Sequence, residues 1–317
     1  MTSLETEILR ASWFLAGPTA SGKSDVSLCL AERLNAEIIS LDSMAVYRGM
    51  DIGTAKPGMA ERGRVRHHLI DVAEPHQEFS VAEFVRMAVL AAEAILTRSR
   101  IPLFVGGTGL YLRSLLRGIC ESPASDRELR QSLEQDAREK GNVWLLAQLR
   151  TIDPASADRL HINDIRRVIR AIEVYRMAGK PLSEIQQQCV RPPADQPRAV
   201  VWLAPPRDWL YRRINLRVEQ MMASGLLEET RQLLQRDPPP GRTARQALGY
   251  RELIPVLEGR ESLAEAVRQI QTATRQFAKR QHTWFRNLSE CTALPLTGSE
   301  SPQQIASRIL VHGRSVG

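Results

Sequence analysis

Trp13-Phe14-Leu15-Ala16-Gly17-Pro18-Thr19-Ala20-Ser21-Gly22-Lys23-Ser24 decides the fold. Its first four residues form a short apolar run, enough for a buried strand. The next eight match GxxxxGK[ST] in full. Residues 25–34 then place Val26, Leu28, Leu30 and Leu34 in a pattern that fits a helix. A strand, a glycine-rich loop and a helix in that order make a P-loop. The glycines allow backbone N–H groups to turn inward around a phosphate, and the helix N-terminus adds positive potential. Lys23 would neutralise the terminal phosphate, and the Ser24 hydroxyl would ligate Mg²⁺.

Outward from this loop, residues 37–41 read as a second strand. Ser80 caps a helix running to about residue 96, and residues 102–105 form a third strand ending at Gly106-Gly107. Alternating strand and helix predict an α/β protein, a P-loop-type parallel sheet flanked by helices. From about residue 120 the periodicity is purely helical. Asp153-Pro154 starts one helix there, with proline at its first position, and Asn163 or Asp164 starts another. A proline-rich linker over 191–197 precedes a returning strand at 200–203. We therefore expect a core of 1–119 and 198–317 interrupted by an all-helical insertion domain at 120–197. Further helices are predicted over 208–224, 226–235 and 263–287, and the tail after Leu294 reads weakly.

At 317 residues the chain can bury a substantial core. No apolar stretch is long enough to span a bilayer, and residues 1–10 carry acids without the apolar core of a secretory signal. The four cysteines, Cys29, Cys120, Cys189 and Cys291, form no CxxC pair, which argues against a disulfide framework or a thiolate zinc site. A cytoplasmic protein with reduced thiols is expected.

The net charge of +7 is concentrated in the second half, where residues 161–317 hold roughly 24 Lys/Arg against 15 Asp/Glu. Nearly all of these cations are arginine, whose planar fork suits phosphate. A nucleic-acid partner and a merely solvated basic surface both fit that distribution. In one helix Ile165, Val168, Ile169, Ile172 and Tyr175 form an apolar stripe, with Arg166, Arg170 and Glu173 on the other side and Arg167 flanking. In the last long helix Leu263, Ala266, Ile270, Ala273, Phe277 and Trp284 are expected inside. Arg268, Arg275, Lys279, His282 and Arg286 should share the opposite face, a row suited to a phosphate backbone.

A P-loop alone does not name the reaction, since most such proteins act on the γ-phosphate of ATP or GTP. Those usually keep an acidic metal ligand at the end of a later strand. Here that strand ends in Gly106-Gly107-Thr108-Gly109, with a hydroxyl where a carboxylate is expected. Asp42, just after residues 37–41, should lie at the carboxyl end of its strand near the P-loop. It could accept a proton from a nucleophile, cap a turn or support a metal.

The chain resembles the bacterial tRNA dimethylallyltransferase (tRNA isopentenyltransferase) family. The resemblance rests on GPTASGKS (17–24), SLDSMAVYRGMDIGTAKP (40–57), FVGGTGLYL (104–112), NDIRRVIRAIEVY (163–175), RVEQMMASGLLEE (217–229), RQALGYRE (245–252) and KRQHTWFR (279–286). These segments span nearly the whole chain in order. The cysteine spacing lacks the zinc finger of eukaryotic relatives. The resemblance implies a transferase of tRNA processing: a prenyltransferase moving a dimethylallyl group from dimethylallyl diphosphate to N6 of the adenine 3′ of the anticodon, with release of diphosphate. It implies that Gly17, Pro18, Thr19, Ala20, Ser21, Gly22, Lys23 and Ser24 cradle the diphosphate, with Mg²⁺ on Ser24 as cofactor. Asp42 would be the general base, Thr108 would bond near the reacting centre, and Lys23 and Arg217 would stabilise the leaving group.

The tRNA anticodon stem-loop is the implied partner, held by Asp42, Ser43, Met44 and Ala45, by Arg130, and by Arg166, Arg167, Val168, Ile169 and Arg170. Arg245, Gln246, Ala247, Leu248, Gly249 and Tyr250 would contact it too. So would Lys279, Arg280, Gln281, His282, Thr283, Trp284, Phe285 and Arg286. The target adenine would have to leave its stack. A monomer with no membrane association is expected. Three alternatives remain: a P-loop nucleotide kinase, an isopentenyltransferase acting on free AMP, and a non-enzymatic RNA-binding protein.

Overall fold

The structure is a computed structural model that describes residues 3–119, 123, 126–186 and 191–315. The boundary residues Cys120 and Cys189 lie outside the described residues. The chain divides into two compact units, Met1–Leu116 with Val190–Gly317, and Arg117–Cys189.

The first unit is built on six strands, β1 (Trp13–Ala16), β2 (Ala36–Leu41), β3 (His67–His68), β4 (Ile101–Gly106), β5 (Ala199–Ala204) and β6 (Thr292–Pro295). They form one parallel sheet in the order β3-β2-β4-β1-β5-β6. Successive side chains alternate between its faces. Trp13 and Leu15 join Ile38, Leu103, Val201 and Leu203 on one side. Phe14 and Ala16 join Ile39, Leu41, Phe104 and Trp202 on the other, where the Phe14 and Phe104 rings stack at 4.6 Å. Both faces are covered, so the central strands are apolar throughout instead of alternating with polar residues.

In chain order the helices are α1 (Ser3–Ala11), α2 (Lys23–Leu34), α3 (Met59–Arg64), α4 (Val81–Thr97), α5 (Gly109–Arg117), α6 (Arg127–Lys140), α7 (Asn142–Ile152), α8 (Pro154–Arg159), α9 (Ile165–Ala178), α10 (Leu182–Ile185), α11 (Arg207–Ala223), α12 (Leu226–Leu234), α13 (Arg242–Arg245), α14 (Tyr250–Leu257), α15 (Leu263–Arg286) and α16 (Pro302–Ser315). α1, α4 and α5 cover the Phe14 face. α2 and α16 cover the other, with Ile305, Ala306 and Ile309 of α16 packed among Val26, Leu30 and Ala31 of α2. A further apolar cluster joins Val46, Tyr47 and Met50 to α11, α12, α14 and α15. None of these helices is long and apolar enough to cross a membrane among the described residues.

Two readings of the first unit need correction. The buried line of α15 runs through Ala266, Ile270, Thr274, Ala278, Gln281 and Phe285, while Leu263 is 42% exposed and Phe277 and Trp284 are only half-buried. The polar Thr274 and Gln281 occupy that line because each has an internal partner. The linker also belongs to this unit: Arg191 Nε donates to the Leu116 carbonyl at 2.7 Å, and Asp195 pairs with Arg10 at 2.6 Å. The helical unit is accordingly Arg117–Cys189, shorter than the expected 120–197. The tail beyond Leu294 supplies α16, and Thr292–Pro295 supplies the edge strand β6.

The second unit, α6 to α10, has its own core of Leu133, Leu145, Leu149, Val168, Ile172 and Leu182. Asp153 caps α8 by accepting the Ser156 N–H at 2.9 Å, and it also accepts the Ser183 N–H at 2.9 Å. Glu173 is fully buried, contrary to its expected place on the outer face of α9. Its carboxylate accepts from Arg130 at 2.8 and 3.0 Å, from Arg170 at 2.6 Å and from the Asp126 N–H at 2.7 Å. Burial pushes its carboxyl up, and the two guanidiniums outweigh that and hold it below the usual range.

Candidate active site

The P-loop leaves β1 at its carboxyl end and delivers Lys23 and Ser24 to the first turn of α2. Two residues turn left-handed to make the cradle, Ala20 at φ 62° and Gly22 at φ 86°. A side chain at Gly17 would stand 2.9 Å from Ser21 Oγ and 3.4 Å from Leu203 Cβ. β1 lies between β4 and β5, so the sheet order departs in both directions from the P-loop strand, the place where open α/β sheets form ligand crevices.

That crevice is a cavity of about 540 Å³. It is lined by Thr19, Lys23 and Ser24, by Asp42, Ser43, Met44 and Ala45 after β2, and by Gly107 and Thr108 after β4. Arg217 of α11, the segment from Gln246 through Gly249, and Phe277, Arg280 and Gln281 of α15 complete the wall. All four residues expected to do chemistry, Lys23, Asp42, Thr108 and Arg217, thus face one space.

Neighbouring strands fix Asp42 and Thr108 side by side. The Thr108 N–H donates to the Leu41 carbonyl at 3.0 Å, and Thr108 Oγ1 accepts the Ser43 N–H at 3.1 Å. A Cβ on Gly106 would meet that Leu41 carbonyl oxygen at 2.4 Å, so only glycine permits the approach. Asp42 Oδ1 accepts the N–H groups of Met44 and Ala45 at 2.8 and 3.3 Å. This turn orients the carboxylate and leaves Oδ2 without a hydrogen bond among the described residues.

The site is electrostatically poised for an anion. Lys23 is lowered from 10.5 to about 8, first by burial and then by the charge of Arg217, with Asp42 opposing. Arg217 is also lowered, chiefly by burial, with Asp42 opposing and Arg213 adding to the depression. Lys23 Nζ donates to the Pro18 carbonyl at 3.2 Å, and Arg213 Nε donates to the Ala20 carbonyl at 3.0 Å. A lysine depressed by burial and by the charge of Arg217 is costly without a counter-anion, and a diphosphate would supply one.

Gln281 is 5% exposed and turns inward to the P-loop. Its oxygen accepts the Thr19 N–H at 2.9 Å and its amide nitrogen donates to the Gly107 carbonyl at 2.9 Å. The reading of the sequence missed this role, although a glutamine in the apolar line of α15 was the available signal. Arg213 was missed as well. Other residues assigned to tRNA are also inside: Phe285, Tyr250, Ala247, Val168 and Ile169 are all buried, so their side chains are packing groups. Arg245, Lys279, Arg280, Thr283 and Arg286 are exposed. Within the expected cationic row, Arg275 donates to Asn215 at 2.7 Å and Arg268 pairs with Glu265. His282 packs edge-on against Trp202 at 4.6 Å, and burial together with Arg286 lowers its pKa, so it packs against the sheet instead of standing in a row of cations.

Comparison with known proteins is consistent across most of the chain. The family described as IPP transferase matches residues 45–288. A protein of Symbiobacterium thermophilum named tRNA dimethylallyltransferase is 48% identical over 93% of this chain and 92% of its own. One of the same name from a Roseiflexus species is 46% identical over 92% of this chain and 95% of its own. The crystal structure of a tRNA isopentenylpyrophosphate transferase from Bacillus halodurans superposes with a TM-score of 0.69 at 38% identity, covering 96% of both chains. A eukaryotic dimethylallyltransferase described as acting on tRNA gives 0.78 at 29% identity, over 95% of this chain and 77% of that one.

Proposed function

The chain belongs to the IPP transferase family, and from that premise we propose how its residues carry out the reaction of a tRNA dimethylallyltransferase. The observation that carries the reading is the single cavity joining a P-loop to Asp42 and Thr108, with no carboxylate at the end of β4. A γ-phosphate enzyme would keep a metal-binding acid there. A hydroxyl suits a site that grips a diphosphate and does its chemistry at carbon.

In this reading the P-loop N–H groups, Lys23 and Arg217 hold the diphosphate of dimethylallyl diphosphate. N6 of an adenine, the one 3′ of the tRNA anticodon, attacks C1 of the dimethylallyl group. The C1–O bond breaks, its electron pair leaves with the diphosphate, and an N6–C1 bond forms. Lys23 and Arg217 stabilise the charge that grows on the departing oxygens. Asp42 accepts the N6 proton through its unbonded Oδ2, while Met44 and Ala45 keep it aimed. Thr108 donates a hydrogen bond beside the reacting centre.

The donors around Ser24 suit Mg²⁺. No group of three or more His, Cys, Asp or Glu that could hold a metal occurs among the described residues. Ser24 would hold the ion by its hydroxyl, with phosphate oxygens and water as its other ligands, the kind this ion prefers. When bound, Mg²⁺ would neutralise leaving-group charge.

The test is incubation with labelled dimethylallyl diphosphate and unmodified tRNA, followed by nucleoside analysis. Label in a prenylated adenosine of tRNA, with none transferred to free AMP, is the expected result. Label on AMP alone would move the acceptor to a free nucleotide. Transfer of the γ-phosphate of ATP to a nucleotide, with no prenylation, would replace the reading by a kinase.

A further inference from the structure

Glu229 of α12 lies outside the cavity, yet one carboxylate there gathers four donors. The N–H of Asp51 reaches Oε2 at 3.0 Å, and that of Ile52 reaches Oε2 at 2.8 Å and Oε1 at 3.1 Å. The N–H of Gly53 reaches Oε1 at 3.1 Å, and the Tyr250 hydroxyl donates to the same oxygen at 2.6 Å. Three successive backbone N–H groups converging on one point form an anion-binding nest. The protein fills this nest with its own carboxylate.

The packing around the contact leaves it little freedom. Tyr250 is 1% exposed. A side chain at Gly53 would come within 2.4 Å of the Tyr250 ring, so the backbone lies directly on that ring. Burial and the Glu229 carboxylate push the Tyr250 hydroxyl well above its usual pKa, so it remains a donor. The turn continues through Thr54 Oγ1, which donates to the Met50 carbonyl at 2.6 Å, and Lys56, whose ammonium pairs with Asp51 at 2.7 Å and Asp71 at 2.6 Å.

Each end of this arrangement borders the cavity. Gly53, Thr54 and Lys56 line one wall, and Gln246, Leu248 and Gly249, just before Tyr250, line another. Glu229 is the atom group both walls share. We infer that Glu229, with Tyr250, is a positioning residue that sets the spacing of these two walls and so the slot in which the acceptor base is held. This inference rests on the transferase reading above. The donor loop is held by different partners, Gln281 and Arg213, so the spacing should act on the acceptor and not on diphosphate binding.

Glu229→Gln retains the length but turns an NH₂ toward N–H groups. Displacing a positioned group by about 1 Å can cost on the order of 100-fold in rate. Glu229→Gln is expected to lower kcat/KM for tRNA by about 30-fold, with the affinity for dimethylallyl diphosphate, measured by direct titration, within about 2-fold. Tyr250→Phe, which loses one of the four donors and keeps the ring against Gly53, should fall between it and the parent. Hydrogen exchange at the amides of 51, 52 and 53 should accelerate in Glu229→Gln while the P-loop amides stay as they were. A lower melting temperature with kcat/KM unchanged per folded molecule would make Glu229 merely structural and overturn the inference. So would an equal loss of donor and acceptor affinity. If the parent protein itself transfers no prenyl group to tRNA, the functional reading fails first, whatever the variants do.

Discussion

Gln281 accepts the backbone N–H of Thr19 across 262 positions of sequence. The P-loop is therefore held from behind by a helix made near the other end of the chain. Because the same amide also donates to Gly107, it fixes the spacing between the loops after β1 and β4. Gln281→Leu should leave a buried N–H and a buried carbonyl unsatisfied, costing about 1–3 kcal/mol of stability. It should also raise KM for dimethylallyl diphosphate by about 10-fold, the equivalent of one such bond. Its tRNA affinity, measured by filter binding, should stay unchanged. A selective loss of tRNA affinity would instead make Gln281 an RNA contact.

The depressed Lys23 gives the site a definite pH signature. Between about 8, its value in the folded protein, and 10.5, its ordinary value, the unfolded chain binds the proton that the folded chain has released. Stability contributed by this group therefore rises with pH through that window, and the full cost of its burial is felt below it. Lys23→Met should stabilise the ligand-free protein at pH 7 by up to about 3 kcal/mol while abolishing transfer. For the parent, affinity for dimethylallyl diphosphate should fall about 10-fold between pH 7 and pH 9.5, as Lys23 loses its charge. Urea midpoints and isothermal titration at the two pH values measure both effects. A Lys23→Met protein no more stable than the parent would contradict them.

Asp42 has two jobs that one substitution separates. Asn at this position can still accept the Met44 and Ala45 N–H groups but cannot take a proton. Asp42→Asn is expected to lower turnover by about 10²–10⁴-fold with tRNA binding largely kept. Single-turnover kinetics at saturating tRNA read this directly, and near-normal turnover would remove Asp42 from the chemistry.

For the exposed face of α15, Lys279 and Arg286 are the residues to change, since Arg275 is engaged with Asn215 and Thr272. Each phosphate contact removed should reduce the salt slope of tRNA binding by about one unit. Lys279→Gln with Arg286→Gln should therefore weaken tRNA binding and flatten its dependence on salt, with donor affinity intact. An unchanged slope would mark the pair as ordinary surface charge.

What could be read in advance follows from how local each signal is. The central strands and the P-loop announce themselves through contiguous apolar runs and a fixed spacing of Gly22, Lys23 and Ser24. Asp42 was placed correctly because strand ends and ligand crevices coincide in parallel sheets. β3 escaped notice because two histidines carry no periodicity, and β6 because its residues are mostly exposed. Glu173 looked like a surface residue because a carboxylate at an arginine-rich helix face normally is one. Arg130 and the Asp126 N–H, from outside its helix, join Arg170 in offsetting its burial. The partners of Gln281 and Glu229 were opaque for the same reason: Thr19 and residues 51 to 53 lie far away in sequence, and nothing nearby records the pairing.

The cover that α16 gives to α2 has a consequence for how the protein is made. α2 begins with Lys23 and leaves the ribosome long before α16, which begins at Pro302. Throughout synthesis of the intervening chain, Val26, Leu30 and Ala31 lack the neighbours they have in the finished molecule. The P-loop helix can thus be assembled early but not sealed until α16 has been made. A stop codon between α15 and α16 would release a chain that carries every residue assigned to chemistry yet leaves that flank of the sheet in water, a species for chaperones and proteases and not a shortened enzyme.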